Sequence, residues 1–364
     1  MDGLAMKNLF FQQYTGKKVL VTGNTGFKGT WLCAWLKQMG AIVYGLSLPP
    51  ETVPNHFSVL ESDTNTKYVD IRDKETFDKT LKEIEPDIIF HLAAQALVRK
   101  SYIDPISTLN TNIMGTAHLL NSCRFLENLQ AVIIVTSDKC YENKEWHWGY
   151  REDEAMGGHD PYSASKGCTE LVTSSFVRSY FSTKSSPLIA SVRAGNVIGG
   201  GDWSEDRLVP DLIKNAVTNT PTLIRNPLAT RPWQHVLEPL SGYLLVGAKL
   251  LQKEQSFAQA YNFGPSNDSV QTVQRIVDLS ITHWQKISIT TDPSEQPHEA
   301  QSLSLDSSKA KFLLKWSPTW NLQQTIQHTM NWYKSYHENN QVLTINQIDA
   351  FVKDASQNKS LWTQ

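Results

Sequence analysis

Tyr162 and Lys166 stand four residues apart in Tyr162-Ser163-Ala164-Ser165-Lys166, one turn apart on one face of any helix that carries them. An ammonium beside a phenol favours phenolate, and a phenol tuned in this way can take a proton from a sugar hydroxyl. Alone, the pair is commonplace. It gains weight from Thr136-Ser137-Asp138-Lys139-Cys140-Tyr141, where two hydroxyls and a charged pair follow five apolar residues. It gains more from Thr22-Gly23-Asn24-Thr25-Gly26-Phe27-Lys28-Gly29. There Gly23 permits a tight turn, Gly26 lets backbone approach a pyrophosphate, and Gly29 lets a helix pack closely on a strand. The helix that opens at this loop would aim free amides and its positive dipole end at the anion. Lys28 could meet phosphate or stay solvated.

The elements that must hold these groups are legible as short apolar runs alternating with helical patterns. Strands are expected at 19–21, 41–46, 68–69, 87–92, 131–135 and 188–192. Helices are expected at 27–39, stopping at Gly40, then after an Asp73 cap with Phe77, Leu81 and Ile84 inward, and at 162–181. Ile106, Leu109, Ile113, Ala117 and Leu120 form one stripe of a long helix. Strands apolar on both faces need cover on both sides, which is the mark of a parallel sheet. The expected fold class is therefore α/β, a doubly wound (Rossmann) parallel sheet with ligands at the carboxyl ends of the strands. Beyond Gly199 elements shorten, and nine of the eleven tryptophans lie after residue 145. A smaller C-terminal α+β substrate domain is expected there. The division is 15–198 plus about 235–264 for the dinucleotide domain, and about 199–234 plus 265–345 for the other.

The end of the second strand usually reads the cofactor's ribose, through an acid for NAD or an arginine for NADP. Gly45-Leu46-Ser47-Leu48-Pro49 has neither, and the missing cation leans toward NAD. Asp70-Ile71, after the third strand, could flank an adenine, or Asp70 could cap a turn. Across the 364 residues, 34 basic and 36 acidic side chains leave a net charge of −2, which argues against nucleic acid as a partner. No apolar run approaches the roughly 20 residues of a membrane span, and the start shows no signal-peptide pattern. Cys33, Cys123, Cys140 and Cys168 are not at metal-ligand spacing. They read as thiols of a reducing cytoplasm, with no metal site.

With these residues in view, the chain resembles the extended short-chain dehydrogenases/reductases, and within them the nucleotide-sugar 4,6-dehydratases. The resemblance covers roughly residues 15–340. It rests on TGNTGFKG (22–29), HLAAQ (91–95) and YSASK (162–166), and more specifically on TSDKCYEN (136–143), RAGNVIGGGDW (193–203), DRLVPD (206–211) and RPWQHVLEPLSGYL (231–244). Many related dehydratases carry Thr-Asp-Glu where this chain has Ser137-Asp138-Lys139, and the lysine resembles the branch that acts on CDP-glucose. The resemblance implies NAD held by Gly23, Asn24, Gly26, Phe27, Lys28, Gly29, Asp70, Ile71, Leu92, Ala93, Ala94, Gln95, Thr136, Tyr162 and Lys166. It implies a nucleotide-sugar held by Arg99, Asn196, Arg207, Arg231 and Trp233, although Trp233 could instead fill the domain junction. His235 reads as structural. It also implies a homodimer, or a tetramer, with helices 106–126 and 162–181 at the seam.

The implied reaction removes water without net redox change. Tyr162 takes the 4-hydroxyl proton, Lys166 lowers the Tyr162 pKa, and Ser137 bonds the forming ketone. Lys139 takes the C5 proton and Asp138 protonates the leaving 6-hydroxyl. This requires a neutral Lys139 and a protonated Asp138, the reverse of their ordinary charge states; a desolvated site would push both toward neutrality, and the pair could titrate as a unit. Alternatively Lys139 stays charged and steadies the enolate while water or Tyr162 moves the proton. Two other readings compete: another nucleotide-sugar enzyme on this fold, either a dehydratase for a different nucleotide or a 4-epimerase, the latter having no use for Asp138-Lys139; and a non-enzymatic dinucleotide sensor, which could dispense with Tyr162 and Lys166.

Overall fold

Ala131–Val135 (β5) is buried along its whole length, as an apolar run without alternation must be. It lies inside a seven-stranded sheet. The other strands are Lys18–Thr22 (β1), Ile42–Ser47 (β2), Asn65–Tyr68 (β3), Ile88–His91 (β4), Leu188–Ala194 (β6) and Ala260–Phe263 (β7). Their order is β7-β6-β5-β4-β1-β2-β3, and every pairing is parallel. This is the doubly wound α/β sheet. Its winding reverses between β1 and β4, where Thr22 registers against His91, so the binding crevice opens there. The computed structural model describes residues 6–61, 64–291 and 303–364. Residues 292–302, inside the range expected for the second domain, lie outside the described residues.

Helix Phe27–Gln38 (α1) follows β1 directly, and every residue from Gly29 to Leu36 is buried. A helix buried all round needs a cover on the side away from the sheet. Helices Leu322–Asn339 (α6) and Thr344–Gln357 (α7), with the chain ends, provide it. Trp35 packs edge-on to Phe10, Phe351 and Trp362. Trp31 donates to the Gly200 carbonyl at 2.9 Å. Helix α2 (Lys74–Ile84) starts at Asp73, whose side chain caps Thr76, and buries Phe77, Leu81 and Ile84 as the sequence predicts. The third strand comes three residues earlier than expected. It is a largely exposed edge, so it lacks the apolar run that marks the inner strands.

The expected helix through Ile106 and Leu120 differs most. It is broken into Pro105–Leu109, a π-turn at Asn110–Met114, and Gly115–Cys123 (α3). The π-turn adds a residue and rotates the faces. Thr108, Asn112 and Thr116 are buried while Ile106 is 73% exposed. The polar face turns inward because its hydroxyls and amide have partners beneath the crevice. Helix Pro161–Tyr180 (α4) packs against it. After β6 come three short ladders. Val197–Ile198 pairs with Gln234–His235, Thr230–Pro232 with Val270–Thr272, and Thr222–Ile224 with Ile289–Thr291. They form a wall beside the strand ends, and helix Leu237–Leu251 (α5) returns the chain to the sheet.

The tightness of the α1 junction gives a direct test. A Cβ on Gly29 would lie 2.1 Å from the Gly23 carbonyl oxygen, and neither backbone can yield. Gly29→Ala is expected to cost about 3 kcal/mol in urea unfolding. Gly16, at φ +73° with nothing within 4 Å of a Cβ, is the contrasting site. Gly16→Ala should cost only about 1 kcal/mol of backbone strain. Equal losses at the two positions would refute the close-packing account.

Candidate active site

The glycine loop forms the floor of the crevice. Gly23 takes φ +73°, and a Cβ there would sit 2.8 Å from the Ala93 nitrogen, so the exits of β1 and β4 lie against each other. The Gly23 N–H donates to Leu46 O at 2.8 Å and the Gly26 N–H to Gly23 O at 3.1 Å. Gly26 is the N-cap of α1, and no side chain among the described residues caps that end. Free amides over a cradle that any Cβ would fill suit a dinucleotide pyrophosphate. Asn24 is buried with Nδ2 donating to Thr66 Oγ1 at 2.8 Å. Its Oδ1 is left without a partner among the described residues, as an acceptor awaiting a ligand would be.

Residues 92–95 form the opposite lip. Leu92 N and Ala93 N donate to Thr22 O (3.1 Å) and Thr22 Oγ1 (3.2 Å), while Ala94 is half-buried between them and Gln95. Gln95 exchanges backbone hydrogen bonds with the Asn112 amide at 2.8 and 3.0 Å, and Asn112 also donates to Ser165 Oγ at 2.8 Å. That amide ties the lip to the helix carrying Tyr162 and explains why the polar face of the π-turn segment is inward. Asp70 is clasped by Arg72 at 2.6 Å, and this hydrogen bond holds its carboxyl below the usual range. Ile71 packs under Gly115.

The catalytic candidates converge where β5 ends. Ser137 caps a 3₁₀ turn at Asp138–Cys140. Its hydroxyl donates to Asp138 Oδ1 at 2.9 Å and accepts from Lys139 N at 3.3 Å. Asp138 is 4% exposed. Burial raises its pKa, against the pull of Lys139, Ser137, Lys28 and Arg231. Desolvation thus moves Asp138 in the direction of the protonated acid. Tyr162 follows the N-cap Asp160 and opens α4, with its N–H donating to Ser101 Oγ at 3.2 Å.

Burial pushes the Tyr162 phenol up to about 12, with Ser137 and Arg207 pulling the other way and Asp138 adding to the rise. Burial is the largest effect on the phenol, ahead of every neighbouring charge. Lys166 is buried, its Nζ donates to Val135 O at 3.4 Å, and desolvation brings its own pKa down to about 8. The i, i+4 spacing gave a shared face but not the larger effect of burial. Lys28 is turned into the cleft. Burial and then Arg207 lower its pKa to about 8, Lys166 adds to this, and Asp138 and Asp202 oppose it.

One supporting residue left no motif in the sequence. Glu170, one turn beyond Lys166, is bidentate to Arg193 at 2.8 and 3.0 Å and accepts from Ser191 and Thr136. Its four acceptor positions are filled, so a buried carboxylate stays charged, its pKa lowered mainly by Arg193 against burial. It anchors Thr136, the residue before Ser137. The signal, in hindsight, is an acid on the buried face of α4 with an arginine in β6.

The substrate candidates are less gathered. Arg207 is held by Asp202 at 2.9 Å and lies near Tyr162. Arg231 is at the cleft near Asp138. Asn196 accepts from Gln234 N at 3.1 Å. Arg99 is exposed and pairs with Asp206 at 3.2 Å. Trp233 directly follows the ladder strand Thr230–Pro232. It is buried with Nε1 donating to Gln271 O at 3.0 Å. His235 is buried edge-on to Trp31 and Trp320, a packing role as expected. The four cysteines are unpaired.

Residues 20–329 match the family model described as GDP-mannose 4,6 dehydratase. The chain is 49% identical to the CDP-glucose 4,6-dehydratase of Salmonella typhimurium over 330 residues, 89% of this chain and 92% of that one. It is 24% identical to a probable dTDP-glucose 4,6-dehydratase of Sinorhizobium fredii, over 87% and 92% of the two chains. Among solved structures, an epimerase from Methanothermobacter thermautotrophicus superposes with a TM-score of 0.79 at 24% identity, covering 93% of this chain and 98% of that one. The dTDP-glucose 4,6-dehydratase of Bacillus anthracis, in complex with NAD, gives 0.72 at 21% identity, covering 89% and 98%.

Proposed function

The chain belongs to the GDP-mannose 4,6-dehydratase family, and from that footing we propose that it is an NAD-dependent hydro-lyase converting CDP-D-glucose to CDP-4-keto-6-deoxy-D-glucose and water. The observation that carries the reaction class is Asp138, a buried acid whose pKa is raised by desolvation and whose carboxyl is hydrogen-bonded to Ser137 beside Tyr162. An epimerase has no step that needs it. The 49% identity to the Salmonella enzyme supports cytidine as the base.

Bound NAD would supply the hydride chemistry, with a hydride leaving C4 of the hexose and coming back at C6. Gly23, Gly26 and Gly29 would hold its pyrophosphate over the α1 amides, Lys28 would lie near its phosphates, and Asn24, Phe27, Asp70, Ile71, Leu92–Gln95 and Thr136 would line the rest. Tyr162 takes the 4-hydroxyl proton. Lys166, charged and fixed on the Val135 carbonyl, orients the nicotinamide ribose. Ser137 donates to O4 as it becomes a ketone. The ketone acidifies C5–H, Lys139 removes that proton, Asp138 delivers one to the 6-hydroxyl so that it leaves as water, and Lys139 returns its proton to C5 as the hydride reaches C6. Arg99, Asn196, Arg207 and Arg231 face the nucleotide. The sugar nucleotide sits between the sheet-based domain, 15–198 plus about 235–264, and the remaining lobe.

Ile106, 73% exposed, and Leu171, at 60%, belong to the helices assigned to the seam and support a homodimer. No helix among the described residues is long and apolar enough to cross a membrane, in keeping with a cytoplasmic enzyme that supplies deoxysugar assembly of the O-antigen type.

The test is a panel of nucleotide-glucoses read by mass spectrometry. CDP-glucose is expected to lose one water, with NAD catalytic rather than consumed. Stoichiometric reduction of NAD would overturn the reading. Lys139→Glu is expected to lower turnover by roughly 10²-fold, because a second carboxylate beside Asp138 changes which proton the pair holds. An unchanged rate would mean that either base serves at this position.

A further inference from the structure

Asp206 sits at the cleft lip with its backbone at φ 56°. One oxygen of its carboxylate, Oδ1, is shared by two guanidiniums. Arg99 reaches it at 3.2 Å and Arg225 at 3.0 Å. Arg99 is on the short helix Val98–Ile103 beyond the exit of β4, and Arg225 follows the ladder strand Thr222–Ile224 of the second lobe. Two arginines from opposite walls thus converge on a single anionic oxygen, next to Arg207 and its own Asp202 partner.

We propose that Arg99 and Arg225 are a split anchor for the diphosphate of the nucleotide substrate, and that Asp206 holds them in place as an internal stand-in which the diphosphate displaces. The proposal rests on the nucleotide-sugar reading above and adds to it the residues that grip the anion. All three side chains are more than a third exposed, so the ion pairs are weak and easily exchanged. A carboxylate offers two oxygens and one charge. A diphosphate offers more of both, in the geometry that guanidinium forks match. Asp206 keeps the long arginine side chains ordered until the ligand arrives, at the cost of competing with it.

Competition separates this from a plain latch between the lobes. Titration calorimetry would use CDP and, as a control lacking phosphate, cytidine. Asp206→Asn removes the competitor and is expected to tighten CDP about two- to fivefold. Arg225→Ala and Arg99→Ala are each expected to weaken CDP roughly tenfold. Cytidine affinity should be unchanged in all three, and Arg225→Lys should fall between Arg225→Ala and the wild type. Unchanged or weaker CDP binding by Asp206→Asn would make the cluster a structural latch and overturn the proposal. So would an equal loss of CDP and cytidine in the arginine variants. UDP and dTDP titrated into the wild type keep the two readings apart. If either binds better than CDP, the base assignment fails and the anchor is judged on that diphosphate. If none binds, both fail.

Discussion

Tyr162→Phe is expected to fold as the wild type does and to lose about 10²–10⁴-fold in turnover. The ring is 8% exposed on the first turn of α4, and phenylalanine fills the same space. What goes is the phenol beside Ser137 that we propose takes the 4-hydroxyl proton. The phenol is pushed up to about 12 by burial, Ser137 and Arg207 being the groups that lower it. In the unliganded protein it is therefore protonated at neutral pH, and the competent base is a minor species. Rate should rise with pH through the neutral range until Lys166, brought down to about 8, loses its charge. The variant should show neither this rise nor its dependence on the phenol. Because the loss falls on the first proton transfer, Tyr162→Phe supplied with the 4-keto sugar should still exchange the C5 proton with solvent deuterium. A variant that loses exchange as well as turnover would place Tyr162 at C5 rather than at O4.

The parts of the site that could be read from sequence are those carried by local pattern. β5 is apolar on both faces, so its position inside the sheet follows from one run of five residues. The three glycines are legible by their spacing after a strand: Gly29 lies against Gly23 within the same loop, although the contact that restricts Gly23 is with distant Ala93. What was not legible depends on partners distant in sequence. The stripe Ile106, Leu109, Ile113 reads as one face of an unbroken helix, but Asn112 has to reach Gln95 and Ser165, and a π-turn at that point breaks the helix and leaves Ile106 exposed. Glu170 reads as an ordinary helical acid until Arg193, Ser191 and Thr136 surround it. Lys166 and Tyr162 share a face, as expected, yet desolvation outweighs their attraction, and desolvation is a property of the whole fold rather than of a four-residue spacing.

Asp138→Asn is expected to stop water loss while leaving the first proton transfer and C5 exchange in place, which is the complement of the Tyr162 result. The amide keeps the shape and can still hydrogen-bond Ser137, but it has no acid proton to give the 6-hydroxyl. Turnover should drop by roughly 10²–10⁴-fold, and solvent deuterium should still enter C5 of the ketone. The same substitution carries a stability signature. Asp138 has a folded-state pKa raised by burial. Its favourable contribution is therefore fully present below the unfolded carboxyl value of about 3.9 and is lost as pH rises through the folded value. Asparagine has no such loss. The variant's Tm should accordingly match or exceed that of the wild type at pH 8, and the difference should close as the pH falls toward 4. A variant both inactive and less stable at pH 8 would mean that the carboxylate is held charged by Lys139, Lys28 and Arg231. In that case the acid for the leaving hydroxyl must be sought elsewhere in the cleft.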